Sequence, residues 1–257
     1  MGRNLSQSEL FEHKELALKK IEAYMDSLIQ HPDAKVRSKA DKLSYWLEDW
    51  STFLSFESEF SPNSLRRYKR GEIIKAHLGY NVGSEEGGLH YCVVVDRNNS
   101  IYSPVITVIP LTSVKPWTDP ERLKKGCVYL GNELFTNLSS KISLVRKTID
   151  VQIADLQQRI DDIEITDEDE KESFISSIKS DIEKAKSEQD LLFRMMDEVA
   201  KMRRGSIALT NQISTISKIR IYDPKTNYDI LSNVKLSNEK LDLIDKEILH
   251  NFTGQDH

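Results

Sequence analysis

The sequence predicts an α+β chain, and three observations carry that expectation. Short runs rich in Val, Ile and Tyr fall in two blocks, residues 73–130 and 206–221. Long stretches with apolar residues every three or four positions lie before, between and after those blocks. Gly, Asn, Ser and Pro bound the short runs, as turn chemistry requires.

The elements follow in order. Residues 8–30 place Leu10, Leu18, Ile21, Met25 and Leu28 at helical spacing, with Ser8 as the expected N-cap and His31-Pro32 as the stop. A second helix is expected over 33–56, with Val36, Ala40, Leu43, Leu47 and Trp50 on one face. Trp46, Trp50, Phe53 and Phe56 make its end aromatic. Packing against the strands is the preferred use of that end, since aromatics are usually buried, and partner docking is the alternative. Ser61 to Ser64 is a linker. The run Leu65-Arg66-Arg67-Tyr68-Lys69-Arg70 suits phosphate contact and base stacking, or equally a solvated charge run.

Strands are expected at Ile73–Leu78, Leu89–Val95 and Val105–Leu111, with a turn at Asn98-Asn99. The connection Gly79 to Gly88, GYNVGSEEGG, is too long and too Gly-rich for a tight hairpin, and glycines let such a loop lie close to a ligand. It is no P-loop, because no Lys-Ser/Thr pair opens a helix after it. Trp117, in the loop Lys115 to Pro120, is expected to cap the strands in preference to stacking on a base. Gly126–Leu130 reads as a further strand. The spans 138–163 and 168–203 read as an antiparallel helical hairpin, turned and capped by the acidic stretch Thr166 to Asp169. Its expected role is dimerisation or partner binding. Ser206–Thr210 returns to a strand. Asn211 is expected to cap a short helix as far as Lys218, and Lys218 to Ile221 leads into a turn at Asp223-Pro224. Ser237 caps a last helix with Leu241, Ile244, Ile248 and Leu249 on one face.

Composition narrows the function classes. The chain has 257 residues, 39% of them hydrophobic and 30% charged, with a formal net charge of −5. That balance argues against a wholly electrostatic nucleic-acid binder but leaves room for a local basic patch. Two cysteines, Cys92 and Cys127, are too few for a disulfide scaffold or a Cys-only zinc site. His13, His31, His250 and His257 show no ligand spacing, so neither metal nor cofactor is expected. With no signal peptide and no apolar run long enough for a bilayer, a cytoplasmic protein without membrane contact is expected.

The order strand, GSEEGG loop, aromatic-rich strand and Pro110-Leu111-Thr112-Ser113 resembles the PemK/MazF family of toxin endoribonucleases. The family loop reads close to GSEQGGxRP. A second block, Ser206 to Lys218, resembles the family's SVALLDQIRTIDK segment. The resemblance implies a small SH3-like barrel, decorated by an N-terminal helical hairpin and a long inserted one. The implied division is 1–60 N-terminal hairpin, 65–134 first part of the barrel, 135–204 inserted hairpin, and 205–257 barrel completion with the C-terminal helix. It also implies metal-independent cleavage of single-stranded RNA, a homodimer and a cognate antitoxin protein, with DNA binding left open. The family's Arg and Pro after the glycines are His90 and Tyr91 here, and its later Asp and Arg are Asn211 and Ser214.

RNA supplies its own nucleophile, the 2′-hydroxyl, so an enzyme need only move protons and stabilise charge on the phosphorane. His90 suits proton transfer. Thr112 carries over from the family directly. Thr112 and Ser113 at a strand end can hydrogen-bond a phosphate, and Glu85 can orient His90 or accept a proton. Arg70, Lys75, Ser84, Gly87, Gly88 and Gln212 are the expected RNA contacts, and Arg70, Lys75 or Arg97 is the expected replacement for the absent Arg charge. His77 is expected to be an ordinary strand histidine. Two other function classes remain. One is a catalytically silent barrel acting as an RNA-binding or protein-interaction module. The other is an enzyme-poisoning toxin of the same fold, which the ending Thr253 to His257 disfavours.

Overall fold

The structure is a computed structural model that describes residues 5–162, 168–202 and 204–253. Helices α1 (Gln7–Ile29) and α2 (Ala34–Phe56) precede strands β1 (Ile73–His77), β2 (Leu89–Val94), β3 (Val105–Ser113) and β4 (Cys127–Gly131). Helices α3 (Glu133–Asp161) and α4 (Glu168–Met202) follow, then β5 (Ser206–Leu209), β6 (Ser214–Ser217), β7 (Ile221–Asp223) and α5 (Asn238–Thr253). The chain divides into two compact units. One holds α1, α2 and the loop Gly79–Gly88; the other holds Phe60–Leu78 and the chain from Leu89 onward.

In the first unit, α1 is capped by Ser6, not Ser8. Ser6 and Glu9 form a reciprocal capping box, and Ser8 has no acceptor side chain three residues on. Asp33 caps α2 through the Lys35 N–H at 2.8 Å. Arg37 holds the intervening turn by donating to the carbonyls of His31 and Pro32 at 2.9 and 2.7 Å. Only Leu28 and Ala40 of the two helices are buried. Trp50 and Phe56 stay 47% and 50% exposed, so the aromatic end remains a surface.

The loop of this unit is closed on itself. Gly88 N–H donates to Gly79 O at 2.6 Å, and Asn81 Nδ2 donates to Glu86 O at 2.6 Å. Gly87 must lack a side chain, because a Cβ there would sit 2.6 Å from the Gly79 carbonyl oxygen.

The second unit is built on an antiparallel sheet of order β4-β5-β3-β2-β1-β7, with β6 also pairing β3. Its β-branched residues bury both faces. Ile74, Ala76, Cys92, Val94, Ile106 and Val108 form one core with Ile216 and Ile221. Ile73, Val93, Ile109, Leu111 and Leu130 form the other, together with Leu134 and Leu138 of α3, Met195 of α4 and Leu241 of α5. Helices α3 and α4 therefore share the sheet's core. The acidic turn expected at Thr166 to Asp169 lies outside the described residues.

Residues 211–218 do not form the expected helix. Single 3-10 turns at Thr210–Gln212 and Lys218–Arg220 flank β6. The reason is local. Ile213, Thr215 and Ile216 are β-branched, and the lower half of β3 offers a free edge that pairs Val105–Val108 with Ser214–Ser217.

The basic run before β1 is a latch. Arg66 pairs with Glu72 at 3.0 Å, with side chains only 6% and 4% exposed. Tyr68 is buried and its hydroxyl donates to Pro224 O at 2.6 Å. Arg70 donates to Val95 O and pairs with Asp245 of α5. Arg67 and Lys69 alone face solvent.

Ammonium groups tie α3 and α4 to the rest of this unit. Lys141 of α3 donates to the carbonyls of Asp229, Ile230 and Ser232 at 3.0, 2.9 and 2.9 Å. Burial draws its pKa down, opposed by Asp223. Lys75 of β1 pairs with Glu198 of α4 at 3.1 Å. Lys141→Met keeps the apolar stem but leaves three carbonyls without a donor. The expected loss is about 2–4 kcal/mol, read as a shift in the urea midpoint. Lys14→Met, on the exposed face of α1, should change stability by less than about 0.5 kcal/mol.

Candidate active site

The sheet opens at one place. Strands β2 and β3 pair only from Cys92↔Pro110 to Val94↔Val108. Pro110 has no N–H, so the ladder ends there. Beyond it, Leu89 to Tyr91 pair only with β1, and Leu111 to Ser113 pair only with β5. Extending the β2–β3 register by two residues sets His90 opposite Thr112. The gap is a cavity of about 250 Å³ whose polar lining includes His90, Thr112, Ser113, Lys115 and Ser206.

Each polar group has a structural reason for its place. His90 Nδ1 lies 3.4 Å from Leu111 O. A carbonyl only accepts, so Nδ1 is the donor in this contact. Ser113 faces Ser206 across the β3–β5 ladder. Lys115 Nζ donates to Ser113 Oγ at 3.2 Å. Gly205 closes the rim with φ +86°, and its carbonyl accepts from Val114 N–H at 3.1 Å. No carboxylate is among the described residues that line the cavity.

The structure thus brings together His90, Thr112 and Ser113, as the sequence suggested. Arg70 and Lys75 are elsewhere and neutralised, by Asp245 and Glu198 respectively; Lys75 also lies 5.3 Å from the Tyr91 ring centre. Arg97 is exposed in the turn after β2, at the opposite end of that strand from His90. Gln212 follows the far end of β5 and does not line the cavity. Ser84, Glu85, Gly87 and Gly88 belong to the other unit, where the Glu85 carboxylate accepts from Val82 N–H at 3.4 Å. His77 is a strand residue whose carbonyl accepts from Arg220 Nε at 2.7 Å. Burial pushes the Cys92 thiol up to about 12 against the pull of Arg220, so it stays protonated and unreactive at neutral pH.

The cavity residue Lys115 is not among the expected site residues. Lys115 is the cation at the cavity, and its only signal was its position just past Pro110-Leu111-Thr112-Ser113. Trp117 was expected to cap the strands; it is 82% exposed and caps nothing. The turn explains why. Thr118 N–H donates to Lys115 O at 3.0 Å, which sets Pro116 and Trp117 at the turn's apex, with the indole in solvent. Among the described residues no group of three His, Cys, Asp or Glu converges as a metal site, and no helix is long and apolar enough to cross a membrane.

The comparison with known families bears on this same region. Residues 69–170 match the model of the PemK-like, MazF-like toxins of type II toxin-antitoxin systems. This region is similar to that family of toxins. The match takes in β1 to β4 and the cavity's His90, Thr112 and Ser113. It ends near the start of α4, so the second resembling block, Ser206 to Lys218, lies beyond it. No curated protein matches the chain. The matched family is one of toxins, generally endoribonucleases with an antitoxin partner and RNA as substrate.

Gly205 tests how closely the cavity rim is built. A Cβ there would lie 2.9 Å from Gly131 O, and its φ disfavours any L side chain. Gly205→Ala should cost about 1–3 kcal/mol in thermal or urea unfolding, whereas Gly83→Ala, whose Cβ meets nothing within 4 Å, should cost less.

Proposed function

We propose that this chain is a metal-independent endoribonuclease toxin that cuts single-stranded RNA by attack of the 2′-hydroxyl. The observation that carries this is the meeting of His90 and Thr112 in one open cavity, at the break in the β2–β3 ladder. The sheet corresponds in this reading to the family's SH3-like barrel. His90 takes the proton from the 2′-oxygen. That oxygen attacks the adjacent phosphorus. Thr112 and Ser113 donate hydrogen bonds to the non-bridging oxygens as negative charge gathers there. The bond to the 5′-oxygen breaks, and water entering the open cavity protonates the leaving group. The products are a 2′,3′-cyclic phosphate and a 5′-hydroxyl.

No step in that sequence calls on a metal. The working form in this proposal is a cytoplasmic homodimer, held inactive by a cognate antitoxin whose flexible segment occupies the RNA groove.

The test is cleavage of a long single-stranded RNA in EDTA, with the native protein beside His90→Ala and Thr112→Ala. Cleavage by the native protein, reduced about 100-fold or more in each variant, is expected. Fragments ending in a 3′-hydroxyl would rule out attack by the 2′-oxygen. No cleavage by a folded native protein would favour a silent RNA-binding barrel instead.

A further inference from the structure

We infer that the turn Lys115-Pro116-Trp117-Thr118 is a nucleotide clamp, in which Lys115 holds a backbone phosphate at the cavity and Trp117 stacks on a neighbouring unpaired base. This rests on the reading of the cavity as an RNA site and assigns to it a substrate-holding element on one side.

Charge singles out Lys115. The cations on or beside the strands, Arg70, Lys75, Lys218 and Arg220, already have partners. Arg70 and Lys75 meet carboxylates, Lys218 donates to Ser100 O at 2.8 Å, and Arg220 donates to His77 O. Lys115 meets a hydroxyl, has no carboxylate partner among the described residues, and stands on a cavity with no acid in its lining. An ammonium beside Ser113, Ser206 and Thr112 presents donors from three sides, an arrangement that suits a phosphodiester and offers nothing to a cation.

The clamp is preorganised. Val114 is pinned to Gly205, and Lys115 N–H donates to Thr118 Oγ1 at 3.2 Å while its carbonyl accepts from Thr118 N–H. Pro116 at the second turn position fixes the backbone that separates the two side chains. This rigid turn carries a tryptophan that is 82% exposed, two residues from the ammonium. A large aromatic surface left in water beside an unpaired cation is what stacking on single-stranded nucleic acid uses, since every base has a π face. A duplex keeps its bases stacked on one another, so the clamp would select single strands.

The experiment uses the full chain and an all-deoxy single-stranded oligonucleotide, which cannot be cut because it lacks the 2′-hydroxyl. Binding is measured by fluorescence anisotropy over a range of salt for the native protein, Lys115→Met, Lys115→Arg, Trp117→Ala and Lys246→Met. For Lys115→Met the slope of log K against log salt should flatten by about 0.7, the contribution of one phosphate contact on a single strand. Lys115→Arg should restore it, and Lys246→Met on α5 should leave it unchanged. Trp117→Ala should weaken binding about 5- to 150-fold without changing the slope, and should remove the quenching of tryptophan emission on binding. An unchanged slope in Lys115→Met, or undiminished affinity in Trp117→Ala, would overturn the clamp. Its fate separates from that of the enzyme. A native protein that binds the deoxy strand through this turn but cuts no RNA would keep the clamp and lose the nuclease; one that cuts RNA with both variants binding normally would do the reverse.

Discussion

Strand β3 is shared among three partners, and most of the second unit depends on how that sharing is arranged. One edge of β3 pairs with β6 at its start and with β5 at its end. The other edge pairs with β2 for three residues and then stops at Pro110. A proline in mid-sheet normally costs a ladder bond. Here the lost bond is where the sheet opens, and the residues no longer paired across that β2–β3 edge are those that line the cavity. His90 fills part of the gap by meeting Leu111 O, so the imidazole's orientation follows from the same break that admits a ligand.

Positive charge is used in two distinct ways in this unit. Arg66, Lys141 and Lys75 are partly or wholly buried and serve carbonyls or carboxylates of the chain itself. They tie loop to strand and helix to sheet, and a buried pair of this sort is costly to break from one side. Lys218 and Arg220 serve carbonyls in the same way, while the exposed cations lie in water, which screens them. Net charge therefore says little about the cavity. A chain with formal charge −5 can still present a locally positive recess when acids are kept out of the lining.

Much of the fold was legible. Periodicity located α1 to α5 to within a few residues, because each carries apolar residues at helical spacing, and β-branched runs located β1 to β4. The N-cap of α1 was misplaced by two residues because Ser6-x-x-Glu9 outweighs Ser8. Residues 211–218 defeated periodicity. Ile213, Ile216 and Ile219 fit a helical spacing, but the unoccupied edge of β3 is a tertiary fact that no local pattern records. The site was half legible. His90, Thr112 and Ser113 sit in or beside recognisable motifs. The fate of the cations did not show, since Arg70 and Lys75 are paired by Asp245 and Glu198, more than 120 positions away. A tryptophan's exposure likewise depends on what the rest of the chain places above it, and nothing is placed above Trp117.

The hairpin α3–α4 interrupts the strands in sequence, yet Leu134, Leu138 and Met195 complete the core on which Leu111 and Leu130 rest. Its base is thus masonry. Ile149 and Ile178 are still covered, but Ile153, Ile160 and Ile182 stand in solvent. Shortening from the tip should meet little resistance until the cut reaches the part that Lys141 and Glu198 moor. A related chain built without this insertion would face a hollow beside β3, and would need some other apolar mass, perforce from a different stretch or a second subunit, to fill it.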